Sequence, residues 1–370
     1  MLQLISSKAK RTSCVVGCVA VLIAASGANS ASASLVSTKP ARLKLVKTVG
    51  GTSMSPKSVV ASPSGLVIAQ NMMYTHGINV FTAEGKMVKR ISDALPLSRL
   101  GKKGSGSAQG APVEAAFSPD GAYAYVSNYY MTGPGFVRQG FDKCSESTKF
   151  DNGYLYRVNM STLVVEAAVE VGEVPKYVAV SPDNKYALVS NWCSYSISIV
   201  DLATFQVVKT IKVGRYPRGI IVAHDSSKAY ITVMGAGQLG TIDLSTFALR
   251  KWSSAARTPR HIVLSPDGLT FYVSHNLSSV VTSHDAETGR LLKRVVTGTE
   301  PRTMAISPEG DALYVVNYQS GTMTVVDTST MRVTQRISTP PHPIGVTFEP
   351  TLNRVWVACY SGLIKIYART

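Results

Sequence analysis

The sequence predicts an all-β chain: a seven-bladed β-propeller with four antiparallel strands per blade, its last blade closed by the N-terminal strand. Three observations carry this. First, a unit of 42 residues recurs, opening at Pro175-Lys176, Pro217-Arg218, Pro259-Arg260 and Pro301-Arg302, with the next start at Pro343. Second, each unit holds short β-branched and aromatic runs, such as Leu188-Val189-Ser190-Asn191, then a run ending in Asp201, Asp243, Asp285 or Asp327, then a closing run such as Val207 to Gly214. A fixed period in the 40s with about four strands is the signature of a propeller blade. Third, the last unit has room for only three strands before Thr370, and Leu43 to Gly50 repeats the closing run. Borrowing that strand removes the open edge a ring would otherwise leave.

Two earlier units start at Pro56 and Pro112. Their spacings are 56 and 63 residues because of insertions at 93–110 and 129–152. Ser-Pro-Asp-Gly at Ser118 to Gly121 and Ser265 to Gly268 has the chemistry of a β-turn: Pro presets one corner, Asp bonds back to the backbone and Gly takes positive φ. The recurrent Asp residues therefore read as turn caps rather than as ligands.

The chain carries 38 Lys+Arg against 22 Asp+Glu, a net charge of +16. Residues 1–33 read as an export signal, with Lys8, Lys10 and Arg11 before the apolar run Val15 to Ala25 and the small residues Ala31-Ser32-Ala33 at the cleavage point. Loss of those three basic groups lowers +16 to +13. The exported protein would lie in the periplasm, at the cell surface or outside the cell, where disulfides persist. Cys144 lies in the insertion of blade two and Cys193 in the equivalent loop of blade three. Neighbouring blades place those loops side by side, which predicts a Cys144–Cys193 bond and leaves Cys359 buried and free.

Tyr125-Val126-Ser127-Asn128, Leu188-Val189-Ser190-Asn191 and Tyr314-Val315-Val316-Asn317 resemble the YVTN-type repeat, as do the flanking Val-Gly-x-x-Pro elements. That resemblance covers residues 43–370 and implies membership of a family of exported seven-bladed propellers, surface-layer-like or periplasmic. It implies a fold and leaves the role open. Blades four, five and seven depart from the motif, with Val233, His275 and Cys359 where Asn is expected.

Lys57, Lys176, Arg218, Arg260 and Arg302 follow the opening Pro in five blades, while Val113 and Ile344 are the exceptions. The blade pattern puts these cations around the central channel on one face. The slot after the strand-end polar residue holds Met72, Tyr129, Trp192, Met234, Asn276, Tyr318 and Tyr360 on that same face. The two insertions open there too, the first basic and mobile in expectation. Loops on a rigid scaffold carry binding, and converging cations focus positive potential. Lys57, Lys176, Arg218, Arg260, Arg302, Tyr129, Trp192 and Tyr318 are therefore the expected binding residues for an anionic ligand: an acidic glycan, a wall polymer or single-stranded nucleic acid. A protein partner is the other possibility. The cations are expected to be exposed, so that replacing Arg218, Arg260 and Arg302 by Gln would leave stability nearly unchanged.

No motif points to a cofactor or a metal. Gly235 to Gly240 matches the dinucleotide fingerprint by letter, but a strand pattern follows it where a helix N-terminus is required. His261, His275 and His342 form only a weak cluster. Two function classes remain. The favoured one is a non-catalytic binding or scaffold propeller. The other is an enzyme with its site in the same funnel, such as a lactonase, a lyase or a quinoprotein-like oxidoreductase. Acid–base chemistry needs a positioned carboxylate or His, and this face has few carboxylates beyond Asp142, Glu146, Asp151, Glu173 and Glu300.

Overall fold

The computed structural model describes residues 42–51, 53–72 and 75–370. The expected export signal lies outside them. Seven antiparallel sheets follow one another along the chain. Blade one holds strands Pro56–Ala61, Val67–Asn71, Ile78–Phe81 and Met87–Ile91. Blades three to six start from Pro175–Val180, Pro217–Val222, Pro259–Leu264 and Pro301–Ile306. Their outer strands are Gln206–Lys212, Leu249–Ser253, Leu291–Val296 and Arg332–Ser338. First strands of successive blades touch in a closed cycle, blade seven meeting blade one.

Blade seven is closed as the repeat requires. Leu43–Gly50 runs antiparallel to Leu363–Arg369, with Leu43 opposite Arg369 and Gly50 opposite Leu363. The Gln335 side chain of blade six clamps the start of this strand, accepting from Leu43 N at 2.8 Å and donating to Leu43 O at 3.0 Å.

Blade two keeps its four strands and adds a fifth, Ala94–Pro96, paired to the lengthened first strand Ser107–Phe117. The insertion expected to be a mobile basic loop is thus ordered at both ends. Its apolar residues decide this: Leu95, Leu97 and Leu100 are buried. Tyr154 donates its hydroxyl to Leu100 O at 3.1 Å, and Tyr156 to Asp93 O at 3.2 Å.

The core lies between blades. Second strands such as Val67–Asn71 and Ala312–Asn317 are buried at every position, whereas outer strands such as Met87–Ile91 are mostly exposed. Between blades three and four, Leu188, Ile199, Ile220 and Ile231 form one such seam. The turn chemistry is local, as expected. Ser118 Oγ donates to Asp120 Oδ1 at 2.6 Å and Gly121 N to Ser118 O at 2.9 Å. Asp201 Oδ1 accepts from Thr204 N at 2.9 Å and Oγ1 at 3.0 Å, and Asp243, Asp285 and Asp327 cap their turns the same way. Gly235 to Gly240 is a hairpin leading into strand Gln238–Asp243.

Closure by one strand makes that strand's buried anchor costly to remove. Leu43 is 6% exposed, so Leu43→Ala should destabilise the ring by ~2–5 kcal/mol, read from chemical denaturation. A loss under about 0.5 kcal/mol, the range of surface substitutions, would show that the N-terminal strand does not hold the ring shut.

Candidate functional site in the central channel

The opening Pro–basic pair has a local consequence that builds the channel. In every blade the pairing of the first two strands slips just after the Pro: Pro56 and Ser58 face Asn71 and Gln70, and Pro175 and Tyr177 face Asn191 and Ser190. The residue between them is the extra one of a β-bulge, which bends the strand and re-aims a side chain. In blades one, three and five that residue is Lys57, Lys176 and Arg260.

The residue ahead of the Pro is unusual as well in blades three to seven. Val174, Tyr216, Thr258, Glu300 and His342 have φ between 53° and 59°, a region costly for any residue but glycine and most so for the branched Cβ atoms of Val174 and Thr258. Their carbonyls accept from the backbone N–H of Trp192, Met234, Asn276, Tyr318 and Tyr360, at 2.9 to 3.1 Å. In those five blades the residue of the ring on this face is therefore fixed to the turn before the Pro.

The cations do not stand in solvent. Lys57, Lys176 and Arg218 are 5, 4 and 5% exposed, and Arg260 and Arg302 are half-buried. This corrects the expectation of an exposed cationic rim. Glu114, in blade two, takes Arg218 of blade four at 3.2 Å and Lys57 of blade one at 4.0 Å. Blades two and four are not neighbours, so this group meets across the channel. Lys176 pairs with Asp142 at 2.5 Å and Arg302 with Glu300 at 3.2 Å. The Arg260 guanidinium reaches the Met234 thioether, with Nη1 3.9 Å from Sδ. Lys57 Nζ, Arg218 Nη1 and Arg302 Nε are buried without a hydrogen-bond partner. Burial, and then the Arg218 charge, hold the Lys57 ammonium well below its usual pKa, with Glu114 opposing. Burial, then Arg218 and Arg302, depress Arg260 likewise.

Glu114 was missed by sequence reasoning, although a signal existed. It stands two residues after Pro112, the slot that Tyr177 and His261 occupy in blades three and five. Those two also meet across the channel: Tyr177 OH lies 2.9 Å from His261 Nε2, and His261 Nδ1 accepts from Met304 N at 3.3 Å. In blades four and seven the slot holds Gly219 and Gly345. A Cβ on Gly219 would stand 2.9 Å from Arg260 O, and one on Gly345 2.9 Å from Ser58 Cα. Small residues there let the inner strands close up, while large ones fill the channel.

The insertion of blade two caps this face. The Cys144–Cys193 disulfide is present, with Cα atoms 5.8 Å apart, and Cys359 is buried and free. Asp142 O accepts from Trp192 Nε1 at 2.8 Å and Cys144 O from Tyr216 OH at 2.7 Å. Of the predicted aromatic residues, Trp192 stacks on Tyr216 at 4.6 Å and Tyr129 lies under the Lys176 ammonium at 4.1 Å. Tyr318 carries the Arg302 guanidinium 3.5 Å above its ring. Beside the cap a cavity of about 840 Å³ opens, lined by Met72, Tyr129, Phe141, Arg302, Tyr318 and Tyr360 among others. Of the five predicted cations, Arg302 alone lines it.

His275 does not join His261. It occupies the Asn slot, and its Nε2 lies 2.8 Å from Thr282 Oγ1, as Asn191 and Asn317 bond to Ser198 and Thr324. His342 stacks on Tyr318 at 4.6 Å. Among the described residues, no group of three His, Cys, Asp or Glu side chains is placed to hold a metal ion.

The buried charges make stability measurable at two points. Glu114→Gln removes the carboxylate shared by Lys57 and Arg218 and should cost ~3–5 kcal/mol; an exposed group would cost almost nothing. Burial, then Arg218, hold the His261 pKa down to about 3, and burial, then His284, hold His275 down to about 4. Below the ordinary value of 6.5 the unfolded chain takes up protons that the folded chain refuses. The contribution of these neutral histidines is therefore full above pH 6.5 and declines as pH falls, by ~1.4 kcal/mol per unit for each, until their folded pKa values are reached. His261→Gln should flatten the fall of stability between pH 6 and 4; an unchanged slope would contradict the buried neutral state.

No protein-family model matches the chain. A segment of 88 residues is 33% identical to Antigen Lp49 of Leptospira interrogans, covering 24% of this chain and 18% of that protein's length. Among solved structures, Hydrazine Synthase of Kuenenia stuttgartiensis superposes with a TM-score of 0.67 at 18% identity, covering 87% of this chain and 97% of that one. At that identity the likeness establishes the propeller fold.

Proposed function

We propose that this chain is an exported, non-catalytic binding propeller whose funnel takes a ligand with one anionic group and a planar or apolar body. The observation that carries this is the cavity of about 840 Å³ in which Arg302 and Lys143 sit among Tyr129, Tyr318 and Tyr360, the one carboxylate on its wall, Asp142, being paired with Lys176. Behind it, five basic side chains face three carboxylates, Glu114, Asp142 and Glu300, and although burial works against the charged forms of Lys57 and Arg260, the balance of the channel is positive rather than negative. Low-dielectric walls focus such a potential, and aromatic rings supply stacking surface. A disulfide and the basic export signal fit an oxidising compartment. Among the described residues no helix is long and apolar enough to cross a membrane.

The burial of Lys57, Lys176 and Arg218 narrows the ligand. A polyanion lying along the face would need an exposed cationic track, whereas a chain end or one protruding acidic group reaches Arg302. Acidic glycans, phosphorylated wall polymers and single-stranded nucleic acid all offer such ends. The enzyme reading has less support. Glu114 and Asp142 are spent on ion pairs, and His261 is a neutral ring bonded at both nitrogens.

Calorimetric titration of the oxidised protein with uronic-acid oligomers, a wall teichoic acid fragment and a short oligothymidylate should find at least one binder whose affinity falls with added salt. Arg302→Gln should weaken it by roughly tenfold or more, since a hydrogen bond to a charged group contributes ~1.5–3 kcal/mol. Failure of every anionic probe, or equal affinity in Arg302→Gln, would overturn the reading.

A further inference from the structure

We propose that the outer side of the disulfide-bound cap is a docking site for an acidic segment of a partner protein, one that seats an apolar side chain between Phe141 and Phe150. This goes beyond the funnel ligand and does not depend on it.

Val137 is 89% exposed and Phe141 53% exposed. Single exposed apolar residues need no explanation. These two converge with Phe150 on a recess of about 500 Å³ whose other walls include Arg138 and Lys149. The segment that presents them is fixed. Asp151 accepts from Val137 N at 2.6 Å and Arg138 N at 2.7 Å, and its own N–H donates to Arg138 O at 2.7 Å. Phe141 meets Tyr130 edge-on at 5.2 Å and Phe150 at 6.2 Å. Cys144, three residues on, is covalently held to blade three. Exposed aromatic surface on a preorganised backbone is what an interface anchor needs, because little ordering is left to oppose binding.

Charge selects the partner. Arg138 and Lys149 are exposed on the walls of the recess. Asp142 is paired with Lys176; Asp151 turns its carboxylate to the backbone N–H groups of Val137 and Arg138, and neither Asp151 nor Glu146 is among the recess walls. A basic rim around an apolar recess complements a segment of Asp and Glu flanking one large apolar residue. The recess is a shallow one whose aromatic walls Phe141 and Phe150 can pack against one apolar side chain. Phe141 and Phe150 also line the funnel cavity on their other side, so the two sites share one wall.

The test uses the full oxidised chain and fluorescein-labelled heptapeptides in which a central Phe, Leu or Trp is flanked by Asp and Glu, with Lys-flanked versions as controls. Anisotropy at low salt should show saturable binding of at least one acidic peptide and none of the basic ones. Val137→Asp and Lys149→Glu should each weaken it by about tenfold, or ~1.4 kcal/mol. Both side chains are exposed, and an unchanged melting temperature with the disulfide intact confirms the fold. Arg302→Gln should leave peptide binding untouched, which separates this site from the funnel. No acidic peptide bound at millimolar concentration overturns the proposal, as does equal affinity in both cap variants. So does binding to phosphatidylglycerol vesicles in place of peptides, and so does loss in Arg302→Gln with retention in Val137→Asp, which would put the peptide in the funnel.

Discussion

One hydrogen-bonded bridge, made at the bulges of the inner strands of blades three, four and five, ties the ring to the channel. A bulge leaves backbone groups without ladder partners, and a buried orphan is costly. In this ring a Ser or Thr of the second strand serves two blades at once. Ser190 Oγ accepts from Tyr177 N in its own blade at 3.0 Å and donates to Arg218 O in the next at 3.0 Å. Thr232 accepts from Gly219 N at 2.8 Å and donates to Arg260 O at 3.0 Å, and Ser274 accepts from His261 N at 3.2 Å and donates to Arg302 O at 2.7 Å. The bonded carbonyl belongs each time to the basic residue. Fixing that backbone fixes where the cation's Cα stands, so blade-to-blade stitching and channel electrostatics share one cause.

The same division separates what was legible in the sequence from what was not. The period, the strand count and the borrowed closing strand depend on patterns that repeat, and a ring of like units has few ways to satisfy them. The Cys144–Cys193 bond was legible because equivalent loops of adjacent blades are neighbours. The turn aspartates were legible because their partners lie two or three residues away. The motif position of Ser190 and Ser274 was visible, while its role in bridging two blades was not, since the acceptor lies 28 residues on in another blade.

The orientation of the cations was not legible, for a physical reason. Strand parity alone assigns a side chain to one face, but a bulge breaks parity at the very residue in question. Reading Lys57, Lys176 and Arg218 as exposed treated the Pro–basic pair as a strand entry at the rim. The bulge instead turns them inward, where Glu114 gathers two of them across three blades. A single carboxylate outside the repeat pattern thus decides what the repeated cations do. Blade two also departs from the pattern at Val113, and the two departures belong together: the blade without the cation supplies the counter-charge. The insertion at 93–110 misled for a simpler reason, because its Gly, Ser and basic residues outnumber the few leucines that bury it.

The cap then completes the charge arrangement. Lys176 is 4% exposed, and its carboxylate partner comes from the insertion of blade two rather than from another blade. Without Asp142 the ammonium would be left in the channel with no carboxylate among its hydrogen-bond partners. Burial lowers the Lys176 pKa while Asp142 raises it, and the Lys176 charge in turn holds the Asp142 carboxyl below its usual range. The disulfide keeps that pair together, since Cys144 follows Asp142 by two residues and Cys193 lies beside Trp192, whose indole donates to Asp142 O. The insertion is therefore one wall of the channel as well as the rim of its mouth. A repeat-built ring supplies basic side chains in equal portions, and the covalently tied insertion of blade two determines which of them is paired at the mouth.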